Sequence, residues 1–349
     1  MRAIVIPKNG PPEVFEEREV EERRLTPVDV RVEVAAAGVN FADVMGRVGL
    51  YPDAPPLPYA PGYEIAGTVV EAGERAAERL PPGTRVMAVT RFGGYADLVR
   101  VPEHAAVPLA DHVPFDVAAG TPVNYLTAWL GLVHMGNAKA GESVLVHGGA
   151  GGVGLAVIDL ARGRDLVLHA TSSSAAKRER LLELGVAAAL DGTAGDFEDQ
   201  ARRATRGRGY DLVLDPQGPE SFQRSLKQLA PLGRLVCYGF SSLVTGPKRK
   251  LWHAVTSVLK TAKVNPITLM NQNVGVLGLN LAHLFTEREL QRTAMAKLGD
   301  LLDRGEIHPH IDRTFPFTAA GAAASHTYLH ERKNFGKLVL VKEGVAPTR

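Results

Sequence analysis

Residues 141–162, GESVLVHGGAGGVGLAVIDLAR, limit the fold of this chain more than any other stretch. Ser143–His147 is a short run rich in Val and Leu, with the length and composition of a buried strand. VGLAVIDLAR then carries apolar residues at helical spacing. Between the two, Gly149, Gly151 and Gly154 form G-x-G-x-x-G. That spacing permits a tight turn, close approach of backbone to a pyrophosphate, and close packing of helix on strand. The start of the helix presents unpaired N–H groups to the phosphates. A purely structural glycine turn would use the same letters, but the flanking strand and helix favour the dinucleotide reading. No Gly-Lys-Ser/Thr follows, which argues against a P-loop.

The alternation continues downstream. DLVLHA (165–170), VAAALD, YDLVLDPQG (210–218), RLVCYG and VGVLGLNL (274–281) read as strands. SAAKRERLLELG, AGDFEDQARRAT and PESFQRSLKQLAPLG read as helices, the last with Pro at its start and Gly at its end. Strands alternating with helices imply a doubly wound parallel sheet covered on both faces, an α/β fold. Ligands of such sheets lie beyond the carboxyl ends of the strands, here at His147, Thr171–Ser173, Gly218 and Tyr238–Ser241. A site for NAD would place an acid at the end of the second strand. This one ends HATSSSAAKR, with the hydroxyls of Ser172 and Ser173 followed by Lys177 and Arg178. These suit the 2′-phosphate of NADP(H). Most such cations are simply solvated helix charges, so the missing acid weighs more than their presence.

The first 120 residues are different in kind. AIVI, DVRVEVAAAGV, YEIAGTVVEAG, TRVMAVT and YADLVRVP are short strands between Pro, Gly and charged turns, which reads as an all-β unit. A Pro-rich loop, GLYPDAPPLPYAPG (49–62), interrupts it; loops of that length are often functional. The 349 residues exceed the roughly 250–300 at which single cores stop growing, so two domains are expected. A net charge of +2 is too weak to point to nucleic acid. The one cysteine, Cys237, forbids an intrachain disulfide and fits a reducing compartment. The start MRAIVIPKNG lacks the apolar segment of a signal peptide, and no apolar run reaches the roughly 18 residues of a membrane helix, so a cytoplasmic location is expected.

AAAGVNFADVMGRVGLYP, PGYEIAGTVVEAG, GGYADLVRVP and VLVHGGAGGVGLA resemble the medium-chain dehydrogenase/reductases, specifically the zinc-independent quinone oxidoreductases. The resemblance spans nearly the whole chain with its motifs in order. VNYLTAWLGLVHMGN, SSLVTGPKRKL and NFGKLVLV resemble the synaptic vesicle membrane protein (vesicle amine transport) homologue branch. The resemblance implies a GroES-like catalytic domain over 1–121, a Rossmann NADP-binding domain over 122–287, and a C-terminal return to the first domain over 288–349. It also excludes zinc. Zinc alcohol dehydrogenases have Cys where this chain has Asn40 and a His-Glu pair where it has Tyr63–Glu64, and their four-cysteine lobe is impossible with Cys237 alone. His308 and His310, flanking Pro309, are the only close histidine pair.

Carried over by position, Asn40, Asp43 and Tyr51 line the substrate pocket, with Tyr51 as proton donor or carbonyl polariser. Tyr51 reads equally as an anchor of the Pro-rich loop, and Asn40 as a turn former. Thr127 matches a position near the nicotinamide, or is simply a helix hydroxyl. Gly151, Gly152 and Val153 approach the pyrophosphate. Gly218 stands at its strand end, and Tyr238, Phe240 and Ser241 flank the nicotinamide ribose. Arg332 and Asn334 match a C-terminal cofactor contact. Two departures concern NADP affinity. Gly192 stands where these enzymes often have a Tyr near the adenine, and Ser173 where they often have Gly.

The reading is hydride transfer from NADPH to a small-molecule quinone or other conjugated carbonyl acceptor. An enoyl-thioester reductase is the alternative within enzymes, since NFADVMGRVGLYP also resembles enoyl-reductase domains of polyketide synthases. A nucleotide-binding protein used for membrane or partner association is the alternative from another class. VGVLGLNL reads as the sheet's last strand, whose open edge suggests a homodimer. Within residues 241–273, Leu251, Val255, Val258 and Leu259 recur at helical spacing among Lys248, Arg249, Lys250, Lys260 and Lys263. A basic amphipathic helix over 248–263 suits weak association with an anionic membrane, or packing on a dimer mate or over the cleft.

Overall fold

The glycine-rich segment folds as a strand, Ser143–Val146, a turn, and a helix, Gly152–Ala161. They belong to a six-stranded sheet in the computed structural model, which describes residues 1–243 and 264–345. Across the sheet the strands are Ala188–Leu190, Val167–Thr171, Ser143–Val146, Tyr210–Asp215, Leu229–Cys237 and Gly275–Gly278. Every neighbouring pair is parallel. In chain order this is 3-2-1-4-5-6, the Rossmann order, which reverses direction beside Ser143–Val146. All six residues of Tyr210–Asp215 are buried, as a strand covered on both faces requires. One core of this sheet joins Leu145, Val213 and Leu235 to Phe197 and Ala201, which lie four apart on the helix Phe197–Ala204.

One expected helix is shorter than its sequence suggests. PESFQRSLKQLAPLG forms a helix only over Pro219–Leu226, and Leu229 already pairs with Tyr210 in the sheet. Pro231 has no N–H to continue a helix. Leu232 takes a left-handed φ of 67° and is 81% exposed. The ladder skips residues here before resuming at Leu212 and Arg234. The strand Gly275–Gly278 is the edge of the sheet. The basic stretch 248–263 lies outside the described residues. Among the described residues, no helix is long and apolar enough to cross a membrane.

The chain divides into two compact units: Met1–Leu126 joined by the chain from Leu281 on, and most of the chain between Thr127 and Asn280. The first unit is built on a sheet in the order Ile311–Pro316, Lys337–Val341, Asp29–Val39, Glu64–Ala72, Arg85–Val89 and Ala106–Pro108. Leu98–Pro102 pairs with Asp29–Val39, and Arg2–Val5 pairs with Glu16–Glu19 in a separate ribbon. The pairings are antiparallel except that of Ile311–Pro316 with Lys337–Val341. The unit is not all-β. Helices Phe41–Arg47, Phe115–Ala119 and Ala319–His330 belong to it, and two of its strands come from the C-terminal end. Its core includes Ile4, Ile6, Val30, Val32, Ile65, Val86, Leu338 and Leu340. Beside that core lies a buried arginine, Arg47. Its Nε donates to His326 Nδ1 at 3.2 Å, a terminal nitrogen lies 2.7 Å from His330 Nε2, and another donates to the Gly10 carbonyl.

Candidate functional site

In the second unit the glycine turn is shaped by what it cannot admit. A Cβ on Gly154 would lie 2.5 Å from the backbone of Gly149, and one on Gly149 would lie 2.6 Å from Ala170 Cβ. Helix, turn and the next strand are therefore in direct backbone contact, which no larger residue permits. The turn is closed by Gly151 N–H to the Gly148 carbonyl (2.9 Å) and Gly149 N–H to the Thr171 carbonyl (2.9 Å). Gly151 is the N-cap residue of Gly152–Ala161 and offers no side-chain cap, while Gly152 and Val153 occupy the first turn. That leaves first-turn N–H groups for an anion such as a pyrophosphate.

Beneath the turn lies a buried polar chain that the sequence did not announce. Asp215 Oδ2 accepts from Ser221 (2.6 Å) and Ser225 (2.7 Å), and Ser225 Oγ lies 3.0 Å from His147 Nε2. Thr171 Oγ1 lies 3.3 Å from His147 Nδ1 and accepts from Gly148 N–H at 3.1 Å. Burial pushes the His147 imidazole below its ordinary value, with Asp215 opposing. The chain ties three strand ends to the base of the turn.

At the end of the second strand, Ser174 caps the helix Ala175–Glu183, accepting from Lys177 N–H. Ser172 Oγ accepts from Ser174 N–H at 3.3 Å, and Ser173 is exposed. Arg178 is tied to the strand end. It donates to the Ser172 carbonyl at 2.7 Å and to Asp191 Oδ2 at 3.3 Å. The acid missing after the second strand is thus supplied by the end of the third, already paired with a cation. Hydrogen bonds from Thr193 hold the Asp191 carboxyl below its usual range. Gly192 has a steric reason. A Cβ there would meet Thr171 Cβ and Oγ1 at 3.1 Å.

Gly218 takes φ 124° and begins the helix Pro219–Leu226. Tyr238 N–H donates to Asp215 O (3.0 Å), Ser241 N–H to Pro216 O (2.9 Å) and Ser242 N–H to Gln217 O (2.8 Å). Gly218, Tyr238, Phe240 and Ser241 are therefore brought together where two strands end, and Phe240 is 45% exposed. Thr127 is buried on the helix Pro122–Trp129.

In the first unit the substrate-side residues are built differently. Asn40 Nδ2 donates to Glu64 Oε1 at 2.9 Å, and Lys337 Nζ donates to Asn40 Oδ1 at 2.6 Å and to Glu64 Oε1. Val123 N–H donates to Glu64 Oε2 at 2.8 Å. All three side chains are buried. Gly38 makes the space, since a Cβ there would strike Glu64 Oε1 at 2.5 Å. Asp43, read from the sequence as pocket-lining, holds backbone in the structure. Its Oδ2 accepts from Asn40 N–H (2.8 Å) at the start of Phe41–Arg47, and its Oδ1 from Gly62 N–H (2.9 Å). It is 1% exposed, and burial pushes its carboxyl up to about 7 against those two bonds.

Tyr51 is half-buried in the Pro-rich loop, edge-to-face with Tyr63 (centroids 6.1 Å apart) and Phe92 (6.3 Å). Asn334 Nδ2 donates to Gly336 O at 2.9 Å, and Arg332 is exposed at φ 52°. His310 packs edge-to-face on Phe335. The positions that carry zinc ligands in zinc alcohol dehydrogenases hold an amide, a phenol and an ion pair. An ammonium between Asn40 and Glu64 is the wrong chemistry for a metal site. Among the described residues, no cluster of three His, Cys, Asp or Glu suits a metal. Glu64, Lys337, Tyr63 and Asp191 were not singled out as site residues, whereas Arg178 was named beside Lys177. The available signals were a lysine heading the apolar strand KLVLV and an acid heading EIAGTVV.

Residues 26–111 match the family described as "Alcohol dehydrogenase GroES-like domain", and residues 184–340 the one described as "Zinc-binding dehydrogenase". The chain belongs to the medium-chain dehydrogenase/reductases, a family of oxidoreductases. Within it, the chain is similar to the synaptic vesicle membrane protein VAT-1 homolog of Mus musculus, 38% identical over 315 residues, covering 90% of this chain and 77% of that one. The Escherichia coli quinone oxidoreductase complexed with NADPH superposes with a TM-score of 0.84 at 27% identity, over 98% of this chain and 100% of that one. The CurK enoyl reductase superposes with a TM-score of 0.81 at 25% identity, over 98% and 99%.

Proposed function

We propose that the chain is a zinc-independent, NADPH-dependent oxidoreductase that reduces a quinone or other conjugated carbonyl acceptor. The observation that carries the reading is the glycine turn, with its uncapped helix start, standing next to a strand end that holds Arg178 and the Ser172 and Ser173 hydroxyls. The quinone oxidoreductase complexed with NADPH supports it. Bound there, NADPH supplies a hydride.

The chain's residues do the rest. Gly152 and Val153 hold the pyrophosphate by first-turn backbone N–H groups, and Gly149, Gly151 and Gly154 let it approach by the absence of side chains. Arg178, with Lys177, Ser172 and Ser173, takes the 2′-phosphate. Gly218, Tyr238, Phe240 and Ser241 hold the nicotinamide ribose, and Thr127, Arg332 and Asn334 are assigned to the nicotinamide side. Tyr51 donates its hydroxyl proton to the acceptor oxygen and is reprotonated from solvent, which its half-exposed position allows. Asn40 and Asp43 hold the helix and loop that carry it. Orientation and exclusion of water contribute much of the rate.

Fluorescence titration with NADPH and NADH tests the coenzyme, and NADPH oxidation with 9,10-phenanthrenequinone tests the reaction. Tighter binding of NADH refutes the first, and binding without any turnover leaves a nucleotide-binding protein. The similarity to CurK keeps one second reading, reduction of an enoyl thioester, which turnover of crotonyl-coenzyme A separates. The open edge at Gly275–Gly278 supports a homodimer, which sedimentation at micromolar concentration tests. Domain limits at 121 and 287 and a cytoplasmic setting complete the proposal. Membrane association through 248–263 is tested by cosedimentation with anionic vesicles at low salt.

A further inference from the structure

Tyr63 is 4% exposed, and its hydroxyl is buried without a hydrogen-bond partner. Such a group costs stability and is rare in folded proteins. It is also held firmly. Its carbonyl accepts from Thr90 N–H at 2.7 Å. On one side Gly62 is fixed by Asp43 and Thr90, and on the other Glu64 is fixed by Asn40, Lys337 and Val123. Its ring packs on Phe92 with centroids 4.9 Å apart and meets Tyr51 edge-to-face. The two phenols also influence each other's ionisation.

We infer that Tyr63 is a positioning residue that acts through Tyr51, donating its O–H to the Tyr51 oxygen so that the Tyr51 proton is directed at the acceptor carbonyl. This rests on the reading of Tyr51 as proton donor in hydride transfer. The balance is simple. The hydride goes from NADPH to the acceptor, and the O–H bond of Tyr51 breaks as the proton passes to the acceptor oxygen. The phenolate left behind receives a strengthened hydrogen bond from Tyr63, and solvent returns the proton. A chain of two hydroxyls polarises the outer one more than burial alone would. Burial raises the Tyr51 phenol above its ordinary value, and the Tyr63 hydroxyl pulls it back down. A donor fixed by the backbone on both sides loses little freedom when the bond forms.

The test uses Tyr63→Phe, which keeps the ring and removes only the hydroxyl. With NADPH and 9,10-phenanthrenequinone, kcat falls on the order of tenfold while the KM for acceptor and the Kd for NADPH hold. In the protein without coenzyme, the phenol ionisation lost in Tyr51→Phe moves to higher pH in Tyr63→Phe, read by ultraviolet difference titration. The melting temperature changes little, because the ring and its packing on Phe92 and Tyr51 remain. The double variant Tyr51→Phe with Tyr63→Phe is no slower than Tyr51→Phe alone. Wild-type kcat in Tyr63→Phe, an unmoved Tyr51 ionisation, or a further loss in the double variant overturns the inference. A wild-type protein that binds NADPH but reduces no acceptor instead overturns the functional reading beneath it.

Discussion

The turn at Gly149–Gly154 and the corner formed by Asn40, Glu64 and Lys337 both gather polar groups, but by opposite means. The turn uses backbone alone. Its first-turn N–H groups are left for a ligand where Gly149 and Gly154 let helix and strand touch. Its parts lie within six residues of one another. The corner uses side chains. Lys337 is 297 residues from Asn40 and 273 from Glu64, and the three are joined only because Lys337–Val341 pairs with Asp29–Val39, which pairs with Glu64–Ala72. A backbone site tolerates no added volume, whereas a side-chain site tolerates no lost partner.

The largest effect that would break this contrast belongs to the corner. Lys337→Met leaves the Glu64 carboxylate buried without its cation, and urea unfolding should show a loss of about 3–5 kcal/mol. Adding Glu64→Gln should restore part of that loss. If the single variant is as stable as wild type, the ion pair does not organise the unit. Next is the turn. Gly154→Val drives a side chain into the Gly149 backbone, for a strain of about 1–3 kcal/mol, on the order of 10- to 100-fold in NADPH affinity. Unchanged binding in a titration would mean that the turn does not hold the coenzyme.

A second side-chain cluster sharpens the comparison through pH. Burial, then the Arg47 charge, holds the His330 imidazole at about 4, and burial holds His326 well below its ordinary value. Arg47 itself is lowered to about 10 by burial, with Glu13 the acid opposing that shift. Unfolded histidines take up protons as pH falls past about 6.5, whereas the folded ring resists until about 4. Stability is therefore complete above pH 6.5 and is lost as pH falls through that window. Between pH 7 and 5 wild type should lose about 1 kcal/mol more than His330→Asn, allowing for solvent screening of a half-exposed ring. Parallel curves for the two proteins would contradict this.

The smallest effect separates neighbours on one helix. Arg178→Ala should weaken NADPH about fivefold, close to 1 kcal/mol, and leave NADH nearly unchanged. Lys177→Ala should do less, since an ammonium meets a phosphate as a point charge where a guanidinium can bind it twice. Equal losses for both coenzymes would make Arg178 a structural residue instead.

The strand, turn and helix around Gly149, and the alternation that follows, were legible because each signal is local. Val- and Leu-rich runs, helical spacing and glycine positions are properties of neighbours in the chain. The helix from Pro219 was overextended because LAPLG has apolar residues that suit either state, and pairing with Tyr210 decides for the sheet. Arg178 was visible, yet its attachment to Ser172 and Asp191 depends on the Ala188–Leu190 strand lying beside Val167–Thr171.

By itself, then, the sequence determined the parallel sheet, its glycine-rich turn and the identity of each candidate side chain, because backbone conformation answers mainly to nearby residues. Only the tertiary structure decided which of those side chains meet. It turned Asp43 inward to hold backbone, set Lys337 between Asn40 and Glu64, and left the Tyr63 hydroxyl buried against Tyr51. The physical reason is distance along the chain. Contacts between residues hundreds of positions apart are fixed by sheet register and burial, and neither leaves a mark on any one stretch of sequence.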